Sequence, residues 1–202
     1  QGFCQLCLAH ARRTDEDERT DRAIGVFEPG SSAPDGIGNC PDSFILADDA
    51  VVTLAAIEDG ELVIEGNAGN YLGAAYRGDW RGMSGGKILV KGNAGSDIGM
   101  YMLGGEIVVN GNADVHVMTH AEGGKTIIKG NAASKVGGQM VEGTIYVFGS
   151  IEVMMPGFKP VGEVELEVEG TKAKFAHFIG DMGERHKKKK GVVVYGNLYK
   201  KI

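Results

Sequence analysis

Short runs of mostly apolar, β-prone residues, flanked by polar ones, recur along the middle of the chain, and most of them end at a glycine–asparagine pair. The runs are ELVIEGNA from Glu61, KILVKGNA from Lys87, EIVVNGNA from Glu106, KTIIKGNA from Lys125 and TIYVFGS from Thr144. Runs of this length and composition, bounded by turn residues, are typical of β-strands, not of helices. Because glycine and asparagine tolerate the backbone conformations of tight turns, each run is predicted to be a strand that ends at a corner.

The glycine that precedes each run reveals a repeat. Gly86, Gly105, Gly124 and Gly143 follow at intervals of 19 residues, whereas the first step, from Gly60 to Gly86, is 26 residues. A fixed period of about 20 residues is typical of solenoids. No unit has the amphipathic stretch that helical repeats need. The expected fold class is therefore all-β: a right-handed parallel β-helix of about 19-residue coils, with non-repeat segments at both ends.

Stacking the coils in register predicts columns of equivalent residues. Two columns should face the core: Leu62, Ile88, Ile107, Thr126 and Ile145, and, two residues on, Ile64, Val90, Val109, Ile128 and Val147. The preceding column alternates in charge, with opposite charges on neighbouring rungs: Glu61, Lys87, Glu106 and Lys125. An amide ladder is expected at one corner, formed by Asn67, Asn93, Asn112 and Asn131.

One apolar column lies between the two inward ones and must therefore point outward. Its residues are Val63, Leu89, Val108, Ile127 and Tyr146. An apolar outer face of this kind either packs under the chain's own termini or docks another subunit, and the sequence favours neither alternative. This column is the first predicted partner interface.

The seven extra residues of the first step fall in the segment Tyr76–Met83 and should bulge from one corner. Aromatic and arginine residues are enriched at interface hot spots. The segment is therefore the second predicted partner interface, with Tyr76, Arg77, Asp79, Trp80, Arg81 and Met83 as its residues. The alternative is that Trp80 folds back over the coil as a lid.

The flanking segments do not show the repeat. They predict an irregular N-terminal segment, residues 1–50, a β-helix domain, residues 51–153, and a C-terminal extension, residues 154–202, that packs on the β-helix. Within the extension, the basic run at residues 186–190 is expected to be a solvated loop, with contact to an acidic partner surface as the alternative.

Candidate metal ligands are few. Cys4, Cys7 and Cys40 have the ligand type for zinc or an iron–sulfur cluster, but a second close pair is missing, so ordinary thiols are expected. On a strand, His116 and His120 would lie about 13 Å apart, which is too far for one metal ion. No bound metal is therefore expected in this chain.

Composition and charge exclude several function classes. The 202 residues carry a net charge of −6, so there is no basic excess for binding nucleic acid. Neither an apolar run long enough to span a membrane nor a signal peptide is visible, and a cytoplasmic protein without membrane association is expected. No Walker loop, dinucleotide fingerprint or Ser-His-Asp arrangement occurs. We therefore expect no catalytic or cofactor-binding residue, and a scaffold role.

The segment GNAGNYLGAAYRGDWRGMSGGKILVKGNAG, residues 66–95, closely resembles the C subunit of formylmethanofuran dehydrogenase. MMPGFKPVGE, residues 154–163, and FAHFIGDMGER, residues 175–185, are also similar to that subunit, so the resemblance covers about residues 57–202. The wider GxGxG coil is shared with the C-terminal domain of the glutamate synthase large subunit. Residues 1–50 and 116–121 depart from the family's pattern.

The resemblance implies the non-catalytic member of an archaeal oxidoreductase complex of methanogenesis, which reduces carbon dioxide and attaches the formyl group to methanofuran. It assigns molybdopterin with tungsten or molybdenum, iron–sulfur clusters and a binuclear metal centre to partner subunits, namely a molybdopterin subunit and an amidohydrolase-like subunit. The alternatives are the equivalent subunit of the bacterial formyltransferase/hydrolase complex, a stand-alone GxGxG subunit of glutamate synthase, and a rod without enzymatic partners.

Overall fold

The computed structural model describes residues 60–75 and 81–202, together with the backbone of one earlier strand, Phe44–Leu46. These residues belong to one compact unit, Pro41–Ile202. They are all-β and contain no helix, so none of them forms a helix that could cross a membrane. The strands of this described part are β1 Phe44–Leu46, β2 Glu61–Ile64, β3 Lys87–Val90, β4 Glu106–Val109, β5 Glu122–Ile128, β6 Ala132–Ser134, β7 Glu142–Val147, β8 Ile151–Val153, β9 Lys159–Val168, β10 Thr171–Gly180, β11 Lys188–Lys189, β12 Val192–Val193 and β13 Gly196–Lys201.

Nine of these strands form one large mixed sheet, in the order β1-β2-β3-β4-β5-β7-β13-β10-β9. From β1 to β7 all neighbours are parallel, and equivalent repeat positions pair directly, as Leu62 does with Ile88 and Ile88 with Ile107. A second parallel ladder runs through the alanines that follow the corner asparagines: Ala68, Ala94, Ala113 and Ala132. Each repeat of the sequence therefore contributes one strand, which pairs with the strand of the next repeat.

Both columns that were expected to face inward are buried. Every residue in them is at most 4% exposed, which confirms the prediction. Two further columns, on other sides of each repeat, are buried to the same extent and join the same hydrophobic cluster: Leu72, Ile98, Val117 and Val136, and Met83, Met102, Ala121 and Met140. Side chains from several sides of each repeat therefore fill one continuous core.

The corner asparagines form a hydrogen-bonded ladder. The backbone N–H of Asn93 donates to Asn67 Oδ1 at 2.8 Å, and Asn112, Asn131 and Ser150 continue the series at the same distance. A Cβ at Gly92 would lie 2.5 Å from Asn67 Oδ1, so glycine is needed there for close approach. Left-handed backbone occurs at the glycine that precedes a repeat strand, such as Gly105, where φ is 82°.

The expected charge alternation is present on the adjacent rungs. Lys87 Nζ lies 2.9 Å from one carboxylate oxygen of Glu106, and Lys125 Nζ binds the other oxygen. Burial raises the pKa of Glu106, but the hydrogen bonds from Lys125 and Lys87 outweigh burial and hold it below its ordinary value. The hydrogen bond to Glu106 raises the pKa of Lys87.

The C-terminal strands extend the same sheet and turn back over its outer face. β13 pairs with β7 in parallel, and the hairpin of β9 and β10 follows in antiparallel pairing. Val168 and Phe175 of the hairpin are buried against Val108 and Ile127 in a second hydrophobic cluster. Glu169, in the hairpin turn, lies 3.2 Å from Lys87 Nζ and anchors the tip. The hairpin therefore covers the middle of the outward column.

Candidate interface

Most residues of the outward apolar column pack against the chain's own C-terminal hairpin. Val108 and Ile127 are fully buried under the C-terminal hairpin, and Leu89 and Tyr146 are half-buried in the same cluster. This burial corrects the prediction that Val108 and Ile127 contact a partner subunit. Of the two alternatives that the sequence left open, packing under the chain's own terminus is the one observed. Val63, at the far end of the column, is half-buried and stays a predicted contact.

The predicted interface at the insertion is only partly within the described residues. Tyr76, Arg77, Asp79 and Trp80 lie outside them, so their roles stay predictions. Two residues at the end of the segment are described and differ sharply. Arg81 is exposed, as a contact residue should be, whereas Met83 is fully buried in a core column. The partner contact predicted for Met83 is therefore wrong, because its side chain fills the interior.

Hydrogen bonds to the next repeat close the base of the insertion. The Ala75 N–H donates to Met100 O at 3.1 Å, and the Gly82 N–H donates to Tyr101 O at 2.9 Å. A Cβ at Gly82 would lie 2.7 Å from Met100 O, so a larger residue would push this segment away from the next repeat. The insertion therefore leaves and rejoins the stack at one fixed corner.

An aromatic ledge continues from this corner along the stack. The rings of Tyr101 and His120 lie parallel, with centroids 4.8 Å apart. Both residues and Gln139, at the equivalent position of the next repeat, have positive φ near 58°. A shallow groove of about 210 Å³ lies beside them, lined by Tyr101, Leu103, His120, Glu122, Gln139, Val141 and Glu184. The sequence did not indicate this ledge. Its residues occupy equivalent corner positions in successive repeats, but they are of different types and so form no visible pattern.

The two histidines considered as a metal pair have different partners. His116 Nδ1 lies 3.2 Å from Asp97 Oδ1, whereas His120 stacks on Tyr101. Within the described residues no group of three or more His, Cys, Asp or Glu side chains is placed to hold a metal ion. Cys4, Cys7 and Cys40 lie outside that part of the chain, so the expectation of ordinary thiols stays a prediction.

The basic run at residues 186–190 is anchored to the chain's own acidic residues, not left as a purely solvated loop. Lys187 binds Glu122, and Lys189 binds Glu142. Glu122 and Glu142 are paired on neighbouring strands, so each lysine relieves a like-charge contact. His186 adds two contacts, with Nδ1 at 3.0 Å from Val141 O and Nε2 at 2.8 Å from Asp181 O. These contacts fix one wall of the groove.

A second aromatic row crosses the outer face where the extension joins the repeats. Tyr146 stacks on Tyr199 at 4.9 Å, and Tyr199 stacks on His177 at 4.4 Å, with interplanar angles of 13° in both pairs. Burial raises the pKa of Tyr146, helped by Tyr199, and burial likewise raises the pKa of Tyr199. No sequence pattern indicates this row, because two of its strands lie outside the repeat.

Comparison with known proteins gives one kind of match. No family model and no curated protein matches the chain. Among solved structures, it is similar to a chain of the formyltransferase/hydrolase complex from Methylorubrum extorquens, crystallised with methylofuran, with a TM-score of 0.62 and 19% sequence identity. The match covers 79% of this chain and 64% of that chain. At this identity the likeness shows the fold alone.

Proposed function

We propose that this chain is a non-catalytic structural subunit that holds together the catalytic subunits of a one-carbon enzyme complex. The observation that carries the proposal is the likeness of its fold to a chain of a multi-subunit formyltransferase/hydrolase complex. The interior supports it, because apolar columns fill the repeats as one continuous core, which suits a rigid scaffold.

The architecture proposed with this role is a right-handed parallel β-helix. The in-register parallel strands, the alanine ladder and the asparagine ladder support it, since each requires successive repeats to stack directly. Such a fold suits a scaffold, because its rigid surface presents partner sites at fixed separations. Residues 1–50 and 154–202 are proposed to flank this domain.

Two complexes are candidates for the assembly. The first is formylmethanofuran dehydrogenase, an oxidoreductase of methanogenesis, which residues 66–95 resemble. Its molybdopterin, iron–sulfur and binuclear metal centres would lie in partner subunits. The second is a formyltransferase/hydrolase complex, without the redox step, which the structural likeness favours.

Purification of the tagged full chain from its source cells, with identification of the co-purifying subunits and metal analysis, separates the candidates. A molybdopterin subunit with tungsten or molybdenum supports the dehydrogenase, and an amidohydrolase-like subunit without either metal supports the formyltransferase/hydrolase. An amidotransferase would instead support glutamate synthase. A chain that purifies without any enzyme subunit overturns the proposal.

Trp80, in the insertion, provides a mutational test of assembly. We expect Trp80→Ala to weaken subunit affinity by about 2 kcal/mol or more, on the usual scale for hot-spot residues, with the melting temperature nearly unchanged. Affinity is measured by titrating variant chain against purified partner subunits. Tyr71→Ala is the matched control, because Tyr71 is an aromatic residue, 46% exposed, at another corner. A Trp80→Ala chain that assembles normally but melts early would identify the segment as a lid.

A further inference from the structure

The ring of His186 contacts two backbone carbonyl groups at once. Its Nδ1 lies 3.0 Å from Val141 O, and its Nε2 lies 2.8 Å from Asp181 O. Both distances are those of hydrogen bonds. The two carbonyls belong to different parts of the fold, because Val141 directly precedes β7 of the repeats and Asp181 directly follows β10 of the extension. The half-buried ring therefore joins the extension to the repeats.

The chemistry of these contacts decides which form of the ring fits. A carbonyl oxygen only accepts hydrogen bonds, so each ring nitrogen of His186 has to donate one. Neutral imidazole has one N–H and one unprotonated nitrogen, whereas imidazolium has two N–H groups. The neutral ring can therefore make one of the two hydrogen bonds, and its lone pair then faces the other carbonyl. Only the charged ring makes both.

Asp181 supplies a negative charge beside the ring. The residue is 7% exposed, and its carboxylate accepts the N–H of Gln139 at 3.1 Å and the N–H of Gly183 at 3.2 Å. Among the described residues, these two neutral groups are its hydrogen-bond donors. A carboxylate that is removed from water is stabilised by a nearby positive charge. His186, which contacts the carbonyl of the same residue, provides that charge when it is protonated.

The other charged and titratable groups around the ring do not take over this role. They are Glu122, Glu142, Glu184, Arg185, Lys187, Lys189 and Tyr195. Lys187 is engaged with Glu122, and Lys189 with Glu142. Tyr195 packs on the His186 ring with centroids 4.5 Å apart, Arg185 is exposed, and Glu184 adds a negative charge. The surroundings therefore favour the charged form of the ring.

We propose that His186 is a pH-sensitive switch that controls how firmly residues 181–187 are held against the repeats. The charged ring holds this segment through two hydrogen bonds and the neutral ring through one. The attachment is therefore firm below the range in which histidine titrates, about pH 6 to 7, and weakens as the pH rises through that range. Glu184 and Val141, on the two sides of the contact, line the shallow groove. The wall of the groove that contains Glu184 is thus held less firmly at higher pH.

Native-state hydrogen exchange of the full chain tests the switch. The Glu184 N–H donates to Asp181 O and the Val194 N–H to Lys187 O, so both amides report on the segment. We expect their protection factors, corrected for intrinsic exchange, to fall about tenfold between about pH 5.5 and pH 8.5, as loss of one hydrogen bond to a charged group predicts. The Lys125 amide, bound within the repeats, is the reference and should keep its protection.

Nitrogen NMR of the ring and two variants identify the group responsible. We expect both His186 nitrogens to carry protons at the lower pH and one of them at the higher pH. His186→Phe keeps a ring against Tyr195 but neither titrates nor donates, so protection of the segment should be low at both pH values. His120→Phe is the matched control, because it removes a histidine that lines the same groove, and it should keep the wild-type pH dependence.

The outcomes decide the proposal independently of the proposed function, because every measurement uses the chain alone. A His186 ring in the same protonation state at both pH values, or equal protection of the segment at both, would overturn the switch. A pH dependence that persists in a folded His186→Phe chain would overturn it too. If that variant does not fold, the wild-type chain still decides, since ring deprotonation and loss of protection must occur over the same pH interval.

Discussion

At the scale of single residues, the charged column shows how much one side chain depends on its neighbours on adjacent rungs. Glu106 is 19% exposed and lies between Lys87 and Lys125 on neighbouring strands. Its carboxylate is therefore removed from water but bound by two ammonium groups. The lowered pKa of Glu106 means that the folded chain prefers the ionised form more than the unfolded chain does.

This preference predicts an acid-dependent loss of stability. A carboxyl group with a depressed folded-state pKa stabilises the fold above its unfolded pKa, and this contribution is lost as the pH falls through the folded value. We expect Glu106→Gln to lower the unfolding free energy by about 0.5–1 kcal/mol at pH 7, because the pair is partly exposed. The difference from wild type should shrink below the ordinary glutamate pKa of 4.5.

Urea unfolding at pH 7 and at pH 3 measures both values. Glu167→Gln serves as the control, because Glu167 is 57% exposed and its lysine partner is 4.0 Å away. A difference between Glu106→Gln and wild type that stays constant over this pH range would show that charge pairing does not stabilise this column.

The asparagine ladder gives a second prediction at this scale. Asn112 accepts a hydrogen bond from the N–H of Asn131 and donates its own N–H to Asn93. Asn112→Ala leaves the Asn131 N–H to water, so we expect a loss of about 0.5–1.5 kcal/mol in unfolding free energy. Asn112→Asp keeps an acceptor oxygen and should lose less. Equal losses in thermal or urea unfolding would contradict the ladder's contribution.

Burial along the strands could be predicted from the sequence, whereas burial at the corners could not. Ile88 and Val90 are predicted to lie inside because alternation in a strand fixes their faces, and both are buried. Met83 ends an insertion, where no periodicity applies, and only the stacking of the corners shows that it faces inward. The contact of Tyr101 with His120 escapes prediction for the same reason, since it depends on corner geometry.

At the scale of elements, the C-terminal hairpin converts part of an outer surface into a second core. Val108, Ile127, Val168 and Phe175 are all at most 7% exposed, although the first two point away from the repeat interior. The sequence predicted an apolar outer column but did not decide whether the chain's own terminus or a partner subunit covers it. Antiparallel pairing of β10 with β13 is a long-range contact that no local pattern specifies.

This packing predicts contrasting effects of the same substitution along one column. Ile127→Asp places a charge in a closed apolar cluster, so we expect a loss of several kcal/mol in stability, or a chain that does not fold. Val63→Asp, at the half-buried end of the same column, should lose far less. Circular dichroism melts of both chains provide the measurement. Similar melting temperatures would mean that the hairpin does not seal the column in solution.

At the scale of the whole molecule, the sequence predicted the repeat and the all-β class, because both follow from periodicity. The proposed role is harder to predict from the sequence, since a scaffold subunit has no catalytic motif. We expect the purified chain alone to show no formyl-transfer, esterase or dehydrogenase turnover, because neither a nucleophile–base pair nor a complete metal set was found in the sequence. Assays with and without added partner subunits check this expectation. Turnover by metal-free, partner-free chain would contradict it.

Because the repeats stack in register, the length of the stack depends directly on the number of repeats. Each further 19-residue unit would add one strand, about 4.8 Å along the stack, without disturbing the columns on either side. The corner at Gly82 and strand β13 are therefore separated in whole increments, and duplication of one unit would move them apart by one increment. Loss of two or three residues within a unit would break the columns instead. Changes in length that preserve the stacked columns are thus confined to complete repeats.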